Sequence, residues 1–209
     1  MAEEAVRIPV DSVALDGDLH ISAGAAAVVV FAHGSGSGRL SPRNRFVAGE
    51  LRKAGLGTLL FDLLTAEEDS AYENRFDMDL LARRLAAATR WLRGLPEARG
   101  LGIGYFGAST GSAAALRAAA ELGGIGAVVS RGGRPDMARE ALGRVRAPTL
   151  LIVGGLDDVV IALNREALGL IKAEKELAIV PGASHLFEEP GKLEEVARLA
   201  SGWFKRHLA

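Results

Sequence analysis

Residues 102–112 read GIGYFGASTGS. Two motifs share these letters. Gly102, Gly104 and Gly107 spell G-x-G-x-x-G, the loop that cradles a dinucleotide pyrophosphate, while Gly107, Ser109 and Gly111 spell G-x-S-x-G, the sharp strand-to-helix turn that lifts a serine nucleophile. The flanking residues choose between them. A dinucleotide loop places its first glycine after a strand. It also needs a carboxylate about 20 residues on, at the end of the next strand, to hold the ribose. Here Gly102 and Gly104 fall inside the strand read over 101–106, and the next strand ends in Val128, Val129 and Ser130 with no acid. The serine turn needs a strand before it and a helix after it. The strand over 101–106 and an alanine-rich helix over 109–122 supply both. A G-x-S-x-G string alone arises by chance ~0.17 times in a chain with this glycine and serine content, so it requires independent support.

The rest of the chain alternates strands with helices. Residues 6–10 and 15–21 read as a hairpin, with Asp16-Gly17 as an available turn. Residues 26–32 are an unbroken apolar run of the kind buried on both faces of a sheet. Ser41-Pro42 reads as a helix cap followed by proline at the first helical position, and Val47, Leu51 and Ala54 recur on one face up to Gly55. A strand over 56–62 leads into a polar segment over 65–75. An amphipathic helix follows, carrying Leu81, Leu85, Ala88 and Leu92. Strands over 125–130, 148–153 and 176–180 alternate with helices over 135–144 and 159–172. The last helix turns Leu193, Val196, Ala200, Trp203 and Phe204 inward. With no internal repeat or linker, residues 1–209 read as a single α/β domain. Its expected core is a mostly parallel twisted sheet of about eight strands with helices on both faces.

In such sheets, sites form at the carboxyl ends of the strands. Three further post-strand segments carry chemistry. GGLDDVV brings Asp157 and Asp158, PGASHLFEEPG brings His185, and HGSGSG over 33–38 brings a loop whose glycines free backbone N–H groups to face an oxyanion. The order is Ser109, Asp157, His185, the chain order of an α/β-hydrolase triad. Of four histidines, His33 precedes the glycine loop and is read as ordering it, His20 lies in the hairpin and His207 in the last helical turn. Only His185 stands where a base would reach Ser109.

On VVVFAHGSGSG, GYFGASTGSAA, LLIVGGLDDVV and PGASHLFEEPG, the chain resembles the α/β-hydrolase superfamily. Within it, the chain is most similar to small cap-less proteins of the dienelactone hydrolase-like group. The resemblance covers essentially the whole chain. It implies a catalytic triad of Ser109, Asp157 and His185, Asp157 being preferred to Asp158 by the G-x-x-D pattern. It implies oxyanion donors at the N–H of Thr110 and of Ser35, with Gly36 as the alternative, and a loop-bracing role for Asp62. Dienelactone hydrolases proper use a cysteine nucleophile. This chain has Ser109 and no cysteine, so the implied activity is that of a general serine esterase or lactonase working through an acyl-enzyme.

Arg131 and Arg134, in SRGGRPD, follow a strand end and are candidates to contact a substrate carboxylate through paired N–H donors, against the reading of solvated arginines beside a helix start. Arg43 and Arg45 have a weaker claim of the same kind. Only residues 131–147 separate the strand over 125–130 from the next, so no large cap fits and the site should be open and shallow.

Composition sets the remaining bounds. A net charge of −1 gives no general basic surplus for nucleic acid or an anionic membrane. The absence of cysteine excludes disulfides and cysteine-held metals. The first residues lack a signal-peptide pattern and the longest apolar run is too short to cross a bilayer, so the expected location is cytoplasmic. No metal or cofactor is expected, and the expected partner is a small ester or lactone. Two other readings use the same residues: an acyltransferase with the same triad, and a non-catalytic binding module on a hydrolase fold.

Overall fold

The computed structural model describes residues 3–208. Eight strands form one sheet: β1 (Glu4–Val10), β2 (Val13–His20), β3 (Ala27–Ala32), β4 (Gly57–Phe61), β5 (Gly102–Ala108), β6 (Ala127–Arg131), β7 (Thr149–Gly154) and β8 (Lys175–Val180). Their order across the sheet is β1-β2-β4-β3-β5-β6-β7-β8. The first two joints, β1–β2 and β2–β4, are antiparallel and the other five are parallel. The helices are α1 (Pro42–Lys53), α2 (Ala66–Ser70), α3 (Met78–Gly94), α4 (Thr110–Leu122), α5 (Arg139–Leu142), α6 (Asp158–Leu170) and α7 (Lys192–Leu208). This is the expected α/β-hydrolase architecture. Between β6 and β7 there is only a 3-10 turn and the four-residue α5, so no large cap is present among the described residues.

Strand alternation sorts the core into two layers. In β3, Val28, Val30 and Ala32 face α3 and α4, while Ala27, Val29 and Phe31 face α1 and α7. Both faces are covered, which is why the central strands are continuous apolar runs. The helical stripes read from sequence are buried as expected: Leu81, Leu85, Ala88 and Leu92 in α3, and Val196, Ala200, Trp203 and Phe204 in α7. Tyr105 is fully buried, and its hydroxyl meets Thr89 Oγ1 at 2.8 Å. Burial pushes its pKa up to about 12, so the phenol stays neutral.

Two local expectations change. The hairpin turns at Asp11-Ser12 and not at Asp16-Gly17: Gly17 pairs with Val6 and Phe61 inside β2. A Cβ there would sit 3.1–3.3 Å from Val6, Phe61 and Ile8, so this glycine serves packing. Asp11 takes φ 51°, a conformation aspartate tolerates better than most residues. The polar segment over 65–75 is also more ordered than its composition suggests. Thr65 and Glu68 form a reciprocal capping box on α2, and Glu68 also holds the buried Arg84 at 2.5 Å.

Gly104, one of the two strand glycines in the opening motif, faces α7. A Cβ there would lie 2.7 Å from Phe204 Cε1 and 2.9 Å from Leu208 Cδ1. Gly104→Val should therefore overpack this layer and cost about 1–3 kcal/mol in urea unfolding. Adding Phe204→Leu should recover part of the loss, so the double variant is less destabilised than the sum of the singles.

Candidate active site

The turn between β5 and α4 places Ser109 at φ 51°, ψ −123°. That left-handed conformation is costly for a residue with a side chain, of order 1–3 kcal/mol, and persists only where the surroundings enforce it. They do so by close backbone approach. A Cβ on Gly111 would lie 2.2 Å from Ala32 O, and one on Gly107 would lie 2.5 Å from Ser112 Cα. Main-chain hydrogen bonds complete the clamp. Ser109 N–H donates to Arg131 O at 3.1 Å, and Arg134 N–H donates to Ser109 O at 3.2 Å.

Asp157 and His185 follow β7 and β8. The two loops are joined by Gly155 N–H to Val180 O at 2.8 Å and Leu156 N–H to Ala183 O at 3.0 Å. This sets Asp157 Oδ2 2.6 Å from His185 Nδ1, and Nε2 has no hydrogen-bond partner among the described residues. The adjacent Asp158 begins α6 and is exposed, so Asp157 is the partner, as the G-x-x-D pattern implies. Gly132, next to the Arg131 carbonyl that holds Ser109, lies against the imidazole: a Cβ there would be 3.4 Å from His185 Cε1. Ser109 and His185 thus flank the same two residues. No hydrogen bond joins Ser109 Oγ to His185 among the described residues; such bonds are often long before substrate binds.

The glycine loop runs over Ser109, with the ideal Cβ position of Gly34 3.1 Å from Ser109 Cβ. Asp62 braces it by accepting from Arg39 N–H at 2.7 Å and Arg39 Nη1 at 2.6 Å, the structural role expected of it. His33 orders the loop from the other side. Leu63 N–H donates to its Nε2 at 2.9 Å, so the ring proton sits on Nδ1 and donates to Gly34 O at 3.0 Å. One expected donor is reassigned. The Ser35 N–H donates to Thr110 Oγ1 at 2.8 Å and is not free for an oxyanion. The N–H groups of Thr110, at the start of α4, and of Gly36 donate to no group among the described residues.

The arginines expected to hold a substrate carboxylate are engaged elsewhere. Arg134 makes a paired contact with Asp136 at 2.9 and 2.7 Å. Arg43 pairs with Glu188 and Arg45 with Glu3. Arg131 is buried beneath the histidine loop, where desolvation and then the nearby Arg43 lower its pKa to about 10. Leu156, Val159 and Leu186, close in sequence to Asp157 and His185, are exposed large apolar residues, and Asp158 between them is exposed as well. Sequence reading also missed Glu189, whose two carboxylate oxygens accept from Ser184 N–H at 3.1 Å and hold the histidine loop.

Comparison with known proteins places the chain. The model of the dienelactone hydrolase family matches residues 47–207. The crystal structure of a dienelactone hydrolase from Anabaena variabilis ATCC 29413 is 56% identical, covers 100% of this chain and 99% of its own, and superposes with a TM-score of 0.96. Est1E from Butyrivibrio proteoclasticus shares the fold at 16% identity and a TM-score of 0.83, over 97% of this chain and 98% of its own. A Mycobacterium tuberculosis (strain ATCC 25618 / H37Rv) protein named "Putative phosphoribosyl transferase" is 54% identical over all 209 residues. The chain spans about half the length, 47%, of that relative. Among the described residues, no helix is long and apolar enough to cross a membrane.

The His33 contacts carry a pH dependence. Desolvation lowers its folded-state pKa, outweighing the opposing Gly34 hydrogen bond and the Asp62 and Asp69 carboxylates. Below the ordinary histidine value of about 6.5, the unfolded chain takes up a proton that the folded chain resists. This stability is therefore present above that pH and lost as pH falls. Between about pH 7 and 5, melting temperature should fall less steeply in His33→Gln than in wild type. The slope should not vanish, because desolvation lowers His20 in the same direction.

Proposed function

The chain belongs to the dienelactone hydrolase family, and on that premise we propose that it is a serine hydrolase cleaving small esters or lactones through an acyl-enzyme on Ser109. The observation that carries this reading is the strained Ser109 turn facing the loop in which His185 Nδ1 meets Asp157 Oδ2 at 2.6 Å. Asp157 accepts from Nδ1–H and holds the imidazole with Nε2 toward the nucleophile. Nε2 takes the proton from Ser109 Oγ as the oxygen attacks the carbonyl carbon. Negative charge gathers on the former carbonyl oxygen, where the N–H groups of Thr110 and Gly36 stabilise it; the start of α4 adds its dipole. The tetrahedral intermediate collapses and breaks the carbon–oxygen bond, and the His185 proton goes to the leaving alkoxide. Water, deprotonated by His185, then attacks the acyl-enzyme. The acid departs and the proton returns to Ser109.

With the expected arginines paired or buried, uncharged esters suit the site better than carboxylate-bearing ones. Location in the cytoplasm and independence from metals, nucleic acid and membranes are part of the same proposal.

Incubation with a fluorophosphonate followed by peptide mass spectrometry should find the adduct on Ser109. Ser109→Ala should lose the adduct and at least about 10³-fold of the activity on short p-nitrophenyl esters. A folded protein that takes no label, or a Ser109→Ala variant hydrolysing esters at the wild-type rate, would overturn the assignment and favour a binding module.

A further inference from the structure

Arg131 is the last residue of β6 and pairs in register with Ala108, the residue before Ser109. Strand alternation turns its side chain to the same face as Ala127 and Val129, into the layer beneath α1. It is only 6% exposed, and no carboxylate among the described residues partners it. Its single side-chain hydrogen bond is a long one, Nη2 to Asn44 Oδ1 at 3.5 Å, and Nε has no partner among the described residues. Arg43, itself paired with Glu188, repels it. A buried guanidinium so poorly compensated costs stability, and an apolar side chain of similar length would fill the place at least as well. Its presence therefore calls for a reason other than stability.

The remaining contact supplies one. The guanidinium carbon lies 5.9 Å from the centroid of the Phe187 ring. Phe187 is 1% exposed and sits at φ 57°, a left-handed conformation unusual for an aromatic residue. Its N–H donates to Ser184 O at 3.3 Å and closes the turn that contains His185. The position of the Phe187 ring therefore fixes the turn, and the turn fixes the imidazole. The main chain of the same arginine accepts the Ser109 N–H at 3.1 Å.

We infer that Arg131 is a positioning residue that sets the distance between nucleophile and base, holding Ser109 through its carbonyl and the His185 turn through the Phe187 ring. This rests on the serine hydrolase reading above. A planar guanidinium suits the task because it stacks on a ring face while remaining charged, which a lysine ammonium does not reproduce. The carbonyl survives any substitution, so side-chain variants test the ring contact alone.

The test uses the full chain with Arg131→Met, Arg131→Lys, Phe187→Leu and the Arg131→Met/Phe187→Leu pair. Melting temperature, kcat and KM on p-nitrophenyl acetate and on a p-nitrophenyl ester bearing a carboxylate, and the fluorophosphonate labelling rate of Ser109 are measured for each. Arg131→Met should melt at or above the wild-type temperature yet lose about 10–100-fold in kcat and in labelling rate, with KM little changed. Arg131→Lys should restore little of this. The double variant should be no slower than the slower single, because both changes remove one linkage. Unchanged kcat and labelling in Arg131→Met would overturn the inference, as would losses that multiply in the double variant. A KM increase confined to esters bearing a carboxylate would overturn it in favour of direct substrate contact. Should Arg131→Met not fold, Arg131→Lys and Phe187→Leu decide the matter by the same split between kcat and KM. Wild-type protein that takes no label at Ser109 would instead defeat the underlying hydrolase reading.

Discussion

Everything at this site depends on the backbone of Ser109 being held where a residue with a side chain does not willingly go. Left to itself, the turn from β5 to α4 would relax by opening. It cannot, because Gly107 and Gly111 bring the chain so close to the ends of β3 and α4 that no side chain fits between them. The carbonyl of Arg131 and the N–H of Arg134 then take both main-chain groups of Ser109. The sheet pays for the strain through the many apolar contacts of β3, β5 and β6, which bury residues from end to end. A parallel sheet covered on both faces is thus the condition that keeps Ser109 raised, as well as the scaffold that displays it.

Much of this was legible in the letters. The unbroken apolar run of β3 announced a strand buried on both faces, and Ser109, Asp157 and His185 each follow their own strand at one end of the sheet, as expected. The adjacency of Asp157 to His185 followed because β7 and β8 are neighbours. What the letters hid were choices settled by packing or by competition for one hydrogen bond. Gly17 looks like a turn residue but serves a crowded strand crossing. Ser35 occupies a suitable place for an oxyanion donor, yet a threonine hydroxyl across the loop claims its N–H.

The arginines illustrate the limit most clearly. A charged residue after a strand reads as solvent- or ligand-facing, because burial of an uncompensated cation is rare. Period-two alternation from Ala127 through Val129 nevertheless assigns Arg131 to the inner layer, and the structure follows the period. The capping box at Thr65 and Glu68 is the opposite case: its T-x-x-E signature was present in the sequence, but the polar composition around it masked the helix it starts.

The lack of a cap has a kinetic side. Enzymes that pass an acyl group to a chosen acceptor commonly close over the intermediate, because bulk solvent otherwise competes for it. Here His185 is partly exposed at the surface, and the connection from β6 to β7 is too short to fold over it. Solvent therefore has standing access to whatever Ser109 carries, and an alcohol or amine acceptor would have to win by occupancy against a vast excess of water. On the proposed mechanism, the short connection after β6 selects the fate of the intermediate: the fold favours release of a free acid before any residue at the site discriminates between acceptors.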